Sequence, residues 1–106
     1  MMQVESNVDY YFLGQKLVDY RLCDIKIDYY HKKIFFEMYD EGKNVYDIKH
    51  SITLCFEDFI SFKISNLKPW GRGVYVCANI LETLDSEKKY IIQLNSGDTC
   101  EVVCKL

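Results

Sequence analysis

The sequence predicts a mainly β domain: a seven-stranded antiparallel sandwich or partly open barrel with a short N-terminal helix. Three observations predict it. From Leu22 onward, apolar and polar residues alternate with period two in run after run, the mark of strands with one face buried. The runs are short and separated by turn-type clusters at close spacing, as in sandwiches and barrels. At 106 residues with 49% hydrophobic content, the chain has the size of one domain, residues 1–106, able to bury roughly 65% of its unfolded surface without staples.

The N-terminal stretch differs from the rest. Val8, Tyr11 and Phe12 fall near helical spacing, Ser6 or Asn7 offers a cap, Asp9 sits in the first turn and Gly14 offers a stop, which predicts a short helix over 7–13. The first strand covers 22–30, with Cys23, Ile25, Ile27 and Tyr29 on one face and Asp24, Lys26 and Asp28 on the other. His31-Lys32-Lys33 turns the chain into a second strand, with Ile34, Phe36 and Met38 alternating against Phe35, Glu37 and Tyr39.

Asp40 to Asn44 is a turn by composition. The third strand spans 51–56 with Ile52, Leu54 and Phe56 inward; after the acidic break Glu57-Asp58, the fourth spans 59–65 with Ile60, Phe62 and Ile64 inward. The fifth strand, 74–81, is apolar on both faces and is expected to be central and covered on both sides. Residues 85–89 read as a charged turn, 90–94 as the sixth strand, Asn95-Ser96-Gly97-Asp98 as a tight turn, and 99–105 as the seventh strand with Cys100, Val102 and Cys104 on one side.

Between the fourth and fifth strands lies Lys68-Pro69-Trp70-Gly71-Arg72-Gly73, holding the single proline and single tryptophan of the chain. Pro69 fixes its own φ and Gly71 tolerates positive φ, so the segment reads as a corner. Trp70 and Arg72 would project from that corner, with Tyr75 beside them. Such residue types are enriched at interface hot spots, although a tryptophan there also caps a core well.

Composition narrows the function. The net charge is −3, so the basic footprint of a nucleic-acid binder is missing; Tyr29, Tyr30, Phe35 and Tyr39 supply stacking surfaces, but their lysines are matched by acids. A modest acidic excess suits a basic partner. The five cysteines, Cys23, Cys55, Cys77, Cys100 and Cys104, are odd in number, form no Cys-x-x-Cys pair and sit inside apolar runs. They read as buried reduced thiols of a cytoplasmic protein rather than as zinc ligands. The N-terminus has neither the basic nor the apolar region of a secretory signal, and no apolar run has the length to cross a bilayer.

No motif of a nucleophile elbow, zinc helix, phosphate loop or dinucleotide site occurs. The two histidines, His31 and His50, lie beside lysines at strand ends and read as solvated. The paired carboxylates Asp24/Asp28, Asp40/Glu41, Glu57/Asp58 and Asp85/Glu87 have the spacing of cation or acid–base pairs, but more simply keep sheet surfaces wet and edges unpaired. The reading is therefore a non-catalytic binding domain with no metal and no cofactor.

Several segments carry a family resemblance: Leu17 to Tyr20, Cys23 to Asp28, Ile52 to Phe59, Asn66 to Gly71 and Leu94 to Asp98. Their order resembles the small β-rich YxiG-like proteins of Firmicutes, and is similar to a group of immunity-type proteins encoded beside polymorphic toxins. The likeness spans residues 17–98, and its motifs are short and mostly structural. It implies a cytoplasmic bacterial protein that binds and masks a toxin domain; no catalytic residue comes with it. On this reading the partner-binding residues are Trp70, Arg72 and Tyr75 near the corner, with Glu57 and Asp58 as an acidic edge. The alternative from another class is a small-ligand or carbohydrate-binding β domain.

Overall fold

The computed structural model describes residues 3–5, 8–13, 17–40, 51–65 and 75–106. In chain order these form β1 (Gln3–Glu5), α1 (Val8–Leu13), β2 (Tyr20–Asp28), β3 (Lys33–Asp40), β4 (Ser51–Glu57), β5 (Phe59–Ile64), β6 (Val76–Thr83), β7 (Glu87–Leu94) and β8 (Thr99–Lys105). They build two four-stranded sheets, ordered β1-β4-β3-β2 and β5-β8-β7-β6. The seven expected strands are all present, paired antiparallel, and not closed into a barrel. The short helix is present too. One element was not expected: β1, three residues long and parallel to β4. So short a run has no period to read.

Both sheets turn one face to a shared core. The first sheet contributes Ile34, Phe36 and Met38 from β3, and Ile52, Leu54 and Phe56 from β4; the second contributes Tyr90, Ile92 and Leu94 from β7, and Cys100, Val102 and Cys104 from β8. These are the strands with a neighbour on each side, and their alternation follows the sequence. β4 goes further, since Ser51, Thr53 and Cys55 on its other face are buried as well. Phe56 is the hub of the aromatic packing: its ring stands edge-on to Phe12, Phe36 and Tyr90 at 6.2, 5.2 and 4.9 Å. Through Val8 and Phe12, α1 closes one side of this core.

The period-two reading fails at three places, and each is a bulge in an edge strand. The register shifts between Leu22 and Asp24 in β2, between Phe59 and Ser61 in β5, and between Val76 and Ala78 in β6. The extra residues are Cys23, Ile60 and Cys77, and all three are exposed. Three expectations fall with them. Ile60 points out, while Phe59 and Phe62 pack on the core. Cys23 and Cys77 are not buried thiols; Cys55, Cys100 and Cys104 are, and all five are free. β6 is not a central strand covered on both sides but the edge of its sheet. An edge strand loses little ladder when it bulges, and the local kink turns its open edge away from further pairing. The charged turn is also shorter than expected, because β7 already begins at Glu87, and Leu84 and Glu87 exchange backbone bonds across it.

The bulge at Cys77 leaves a conflict. It turns Asn79 inward, opposite the buried Ile92, and leaves Ile80 outward and 41% exposed. Among the described residues, neither the Oδ1 nor the Nδ2 atom of Asn79 finds a hydrogen-bond partner. A buried amide without partners costs about 1–3 kcal/mol. Asn79→Val should therefore stabilise the fold by about 1–2 kcal/mol, read as a higher urea midpoint at unchanged slope; a lower midpoint would show that the amide is satisfied in solution.

The two sheets are joined at two corners. Asp58, with φ +55°, carries β4 into β5; there Phe59 N donates to Lys32 O and Lys105 N donates to Asp58 O, at 3.2 and 2.9 Å. At the other corner Asp19 N donates to Val76 O at 2.9 Å, and Arg21 bridges Tyr75.

Candidate functional site

The first corner gathers the chemistry. On its outer side is the turn between β2 and β3, residues 29–32. Asp28 fixes this turn: its carboxylate accepts from His31 N at 3.1 Å and stands 2.8 Å from His31 Nδ1. The imidazole contact and then the backbone bond hold the Asp28 carboxyl below its ordinary pKa. Lys32 takes φ +55° to complete the turn, and its ammonium lies 5.7 Å from the centre of the Phe59 ring. Tyr29 packs edge-on to the same ring at 5.8 Å, yet remains 67% exposed, and Tyr30 is 89% exposed. Two tyrosines are thus displayed on a turn tied down at both ends, next to exposed Asp58 and Ile60.

On the inner side of the corner, α1 and strands β4, β7 and β8 line a half-open cavity of about 290 Å³. Its apolar surface comes from Val8, Phe56 and the ring of Tyr90; its polar groups are Asp9, Glu57 and Lys88, with the thiols of Cys55 and Cys104 alongside. Asp9 accepts hydrogen bonds from both the Lys88 ammonium and the Tyr90 hydroxyl. Partial burial alone would raise the Asp9 pKa, but those two bonds outweigh it and hold the carboxyl below its ordinary 3.8. Burial, and then donation to Asp9, push the Tyr90 phenol upward. Burial also raises both thiols, Cys104 to about 12, with Asp58 and Asp9 adding to the effect on Cys104 and Glu57 to that on Cys55. Such protonated thiols are poor nucleophiles, and among the described residues no cluster of three or more His, Cys, Asp or Glu could hold a metal ion.

Because the folded-state pKa of Asp9 is depressed, its bonds to α1's neighbours contribute above about pH 4 and are lost as pH falls through the folded value. The stability gap between the native chain and Asp9→Asn should therefore be widest near neutrality and shrink on acidification toward pH 3. Denaturation midpoints along that series check it; a gap that does not change with pH would mean that the ionised form is not preferred in the fold.

Of the candidate residues read from the sequence, Glu57 and Asp58 are brought to this corner, both exposed, Glu57 at the cavity and Asp58 beside the tyrosine turn. Tyr75 is not with them. It is half-buried at the far end of the second sheet, where its N–H donates to Asn95 Oδ1 and its carbonyl accepts from Asn95 N, at 3.0 and 2.9 Å. The length of β8, roughly 20 Å at strand rise, separates the two ends. Trp70, Arg72 and the proline corner lie outside the described residues, as does His50. In the sequence, Tyr29 and Tyr30 read as the end of the first strand and as base-stacking groups; the strand instead stops at Asp28, and both tyrosines fall in the turn. Asp9, Lys88 and Tyr90 were missed as a group, since nothing in the sequence spacing joins Asp9 to residues 79 and 81 positions away. Among the described residues no helix is long and apolar enough to cross a membrane. Comparison of the chain with family models, with curated proteins and with solved structures gave no match.

Proposed function

We propose that the protein is a non-catalytic recognition module that binds and masks a partner protein through the β2–β3 turn and the adjoining corner. The observation that carries this reading is the display of Tyr29 and Tyr30, 67% and 89% exposed, on a turn tied down through Asp28, Lys32 and Phe59. Tyrosine offers large contact area at low entropic cost, and a pre-ordered turn loses little freedom on binding. Glu57 and Asp58 give the same corner an acidic rim, which favours a partner with a basic surface. A toxin domain, neutralised in the bacterial cytoplasm, is the partner that the resemblance to immunity-type proteins implies.

The test is affinity capture from the source cells with the native chain and with a Tyr29→Ala/Tyr30→Ala variant of matched stability. The native chain should retain one basic protein in stoichiometric amount, and the variant should lose at least tenfold in affinity, about 1.4 kcal/mol. Equal retention by both would reject this face. If only a Trp70→Ala/Arg72→Ala variant loses the partner, recognition belongs to the corner at 68–73.

A small-ligand role is the second reading, and the cavity beside Glu57 is the observation that favours it.

A further inference from the structure

We infer that the protein pairs with a second copy of itself through β6: the two strands lie side by side, antiparallel, with Ile80 facing Ile80 at the symmetry axis. The inference goes beyond the recognition reading and does not depend on it, because the tyrosine turn adjoins β5, at the opposite edge of the same sheet.

The edges differ in how they are guarded. Among the described residues the edge strands are β1, β2, β5 and β6. An open edge invites pairing, and folds protect it with charge, brevity or bulges. β1 has three residues. Beyond its bulge, β2 carries Asp24, Lys26 and Asp28; β5 keeps only Ser61 to Ile64 beyond its own, Lys63 among them. β6 is guarded least. Its bulge lies at Cys77, and from Ala78 to Thr83 it runs in regular register with β7. No charge stands between Val76 and Leu81.

Backbone bonding sets the geometry. Leu84 and Glu87 exchange bonds, so by strand alternation Glu82, Ile80 and Ala78 bond toward β7, and the N–H and C=O groups of Asn79, Leu81 and Thr83 point to the open edge. No described residue is bonded to those groups. α1 packs on the inner side of this sheet, where Phe12 meets Tyr90. Ile80 stands on the outer face, 41% exposed, beside the half-buried Ile91. A second β6 bonded to these groups can be centred on Leu81, Asn79 or Ile80. Centred on Leu81, it sets Glu82 against Ile80 twice; centred on Asn79, it draws the bulge at Cys77 into the ladder. Centred on Ile80, it sets Ile80 against Ile80 in a site without ladder bonds, where side chains come closest.

That register identifies the occupant. An identical strand brings aliphatic opposite aliphatic and makes one row, Ile91–Ile80–Ile80–Ile91, across the joined sheets. It sets Glu82 opposite Ala78, so no charge meets its like. The paired stretch is short, so the dimer is expected to be weak, with a Kd on the order of 10 μM.

The experiment is analytical ultracentrifugation of the full chain from about 5 to about 500 μM. The native chain should shift reversibly from one copy to two and stop there. Ile80→Lys and Ile80→Glu should each stay monomeric, since each puts like charges at the axis; mixed in equal amounts, they should dimerise again. Ile60→Lys on the β5 edge and Tyr29→Ala/Tyr30→Ala should dimerise as the native chain does. Ile80 is exposed, so its variants should keep the melting temperature of the dilute native chain, which is checked alongside. A native chain still monomeric at about 500 μM, a mass rising past two copies, a folded Ile80→Lys variant that dimerises, or a mixture that stays monomeric would each overturn the inference. A monomeric chain that holds a different protein, lost in Ile80→Lys, would assign the edge to a foreign strand and reject the second copy.

Discussion

Replacing Phe56 by alanine is expected to cost about 3–5 kcal/mol of stability. The ring is 2% exposed and touches an aromatic residue from each of three other elements: Phe12 of α1, Phe36 of β3 and Tyr90 of β7. Removing it deletes transfer energy and leaves a void that neighbours on separate strands cannot fill without shifting their ladders. A domain of this size holds some 5–15 kcal/mol in all, so the melting temperature should fall by more than about 10 °C. Truncating the exposed Ile60, by contrast, should stay within about 0.5 kcal/mol. Urea denaturation of both variants checks the pair. A small loss at Phe56 with an ordinary slope would mean that the three elements do not meet around this ring.

The second large effect is expected at Asp98. It ends the tight turn between β7 and β8, yet it is only 1% exposed. Its carboxyl accepts from Ser65 Oγ at 3.0 Å and from Ser96 Oγ at 2.8 Å, and Ser65 Oγ in turn accepts from Thr99 N at 2.9 Å. One side chain thus ties the end of β5 to the β7–β8 turn, and Ser65 N donates to Thr99 O at 3.0 Å beside it. Asp98→Ala removes the buried acceptor on which the half-buried Ser65 and Ser96 hydroxyls both converge, so a loss of about 2–4 kcal/mol follows. Asp98→Asn, which keeps one carbonyl acceptor, should lose less. Hydrogen exchange separates this local role from a general one: the amides of Ser65 and Thr99 should lose protection first. If exchange instead rises evenly across both sheets, the carboxyl is not a local tie. Gly97, at φ +91° in the same turn, shows why glycine stands there, because a β-carbon is strained in that region even where space is open.

The contrast between these two residues shows where the sequence could be read. Phe56 was legible as core, because Ile52, Leu54 and Phe56 recur at every second position of β4, although the strand is buried on its other face too. Asp98 was legible only as a turn residue. Its burial depends on Ser65, 33 positions away, and composition carries no trace of that pairing. The same holds for the cavity. Glu57 was visible as part of an acidic break, but the Asp9–Lys88–Tyr90 group exists only because α1 folds back across β7. A turn was legible at residues 31–33, but Tyr29 and Tyr30 were read into the strand before it, and their packing against Phe59 on the other sheet left no trace in the sequence.

By itself, the sequence determined the β class, the seven antiparallel strands, the short helix, and the inward faces of the interior strands. These follow from local periodicity, which each segment carries alone. Tertiary structure decided which strands became edges, where those edges bulged, and therefore which way Cys23, Ile60, Cys77 and Asn79 point. It also decided which distant polar groups meet at the corner between the sheets. The physical reason is that a bulge, a buried carboxyl and a cavity each depend on what lies across the ladder or across the core, and no stretch of chain contains its own neighbours.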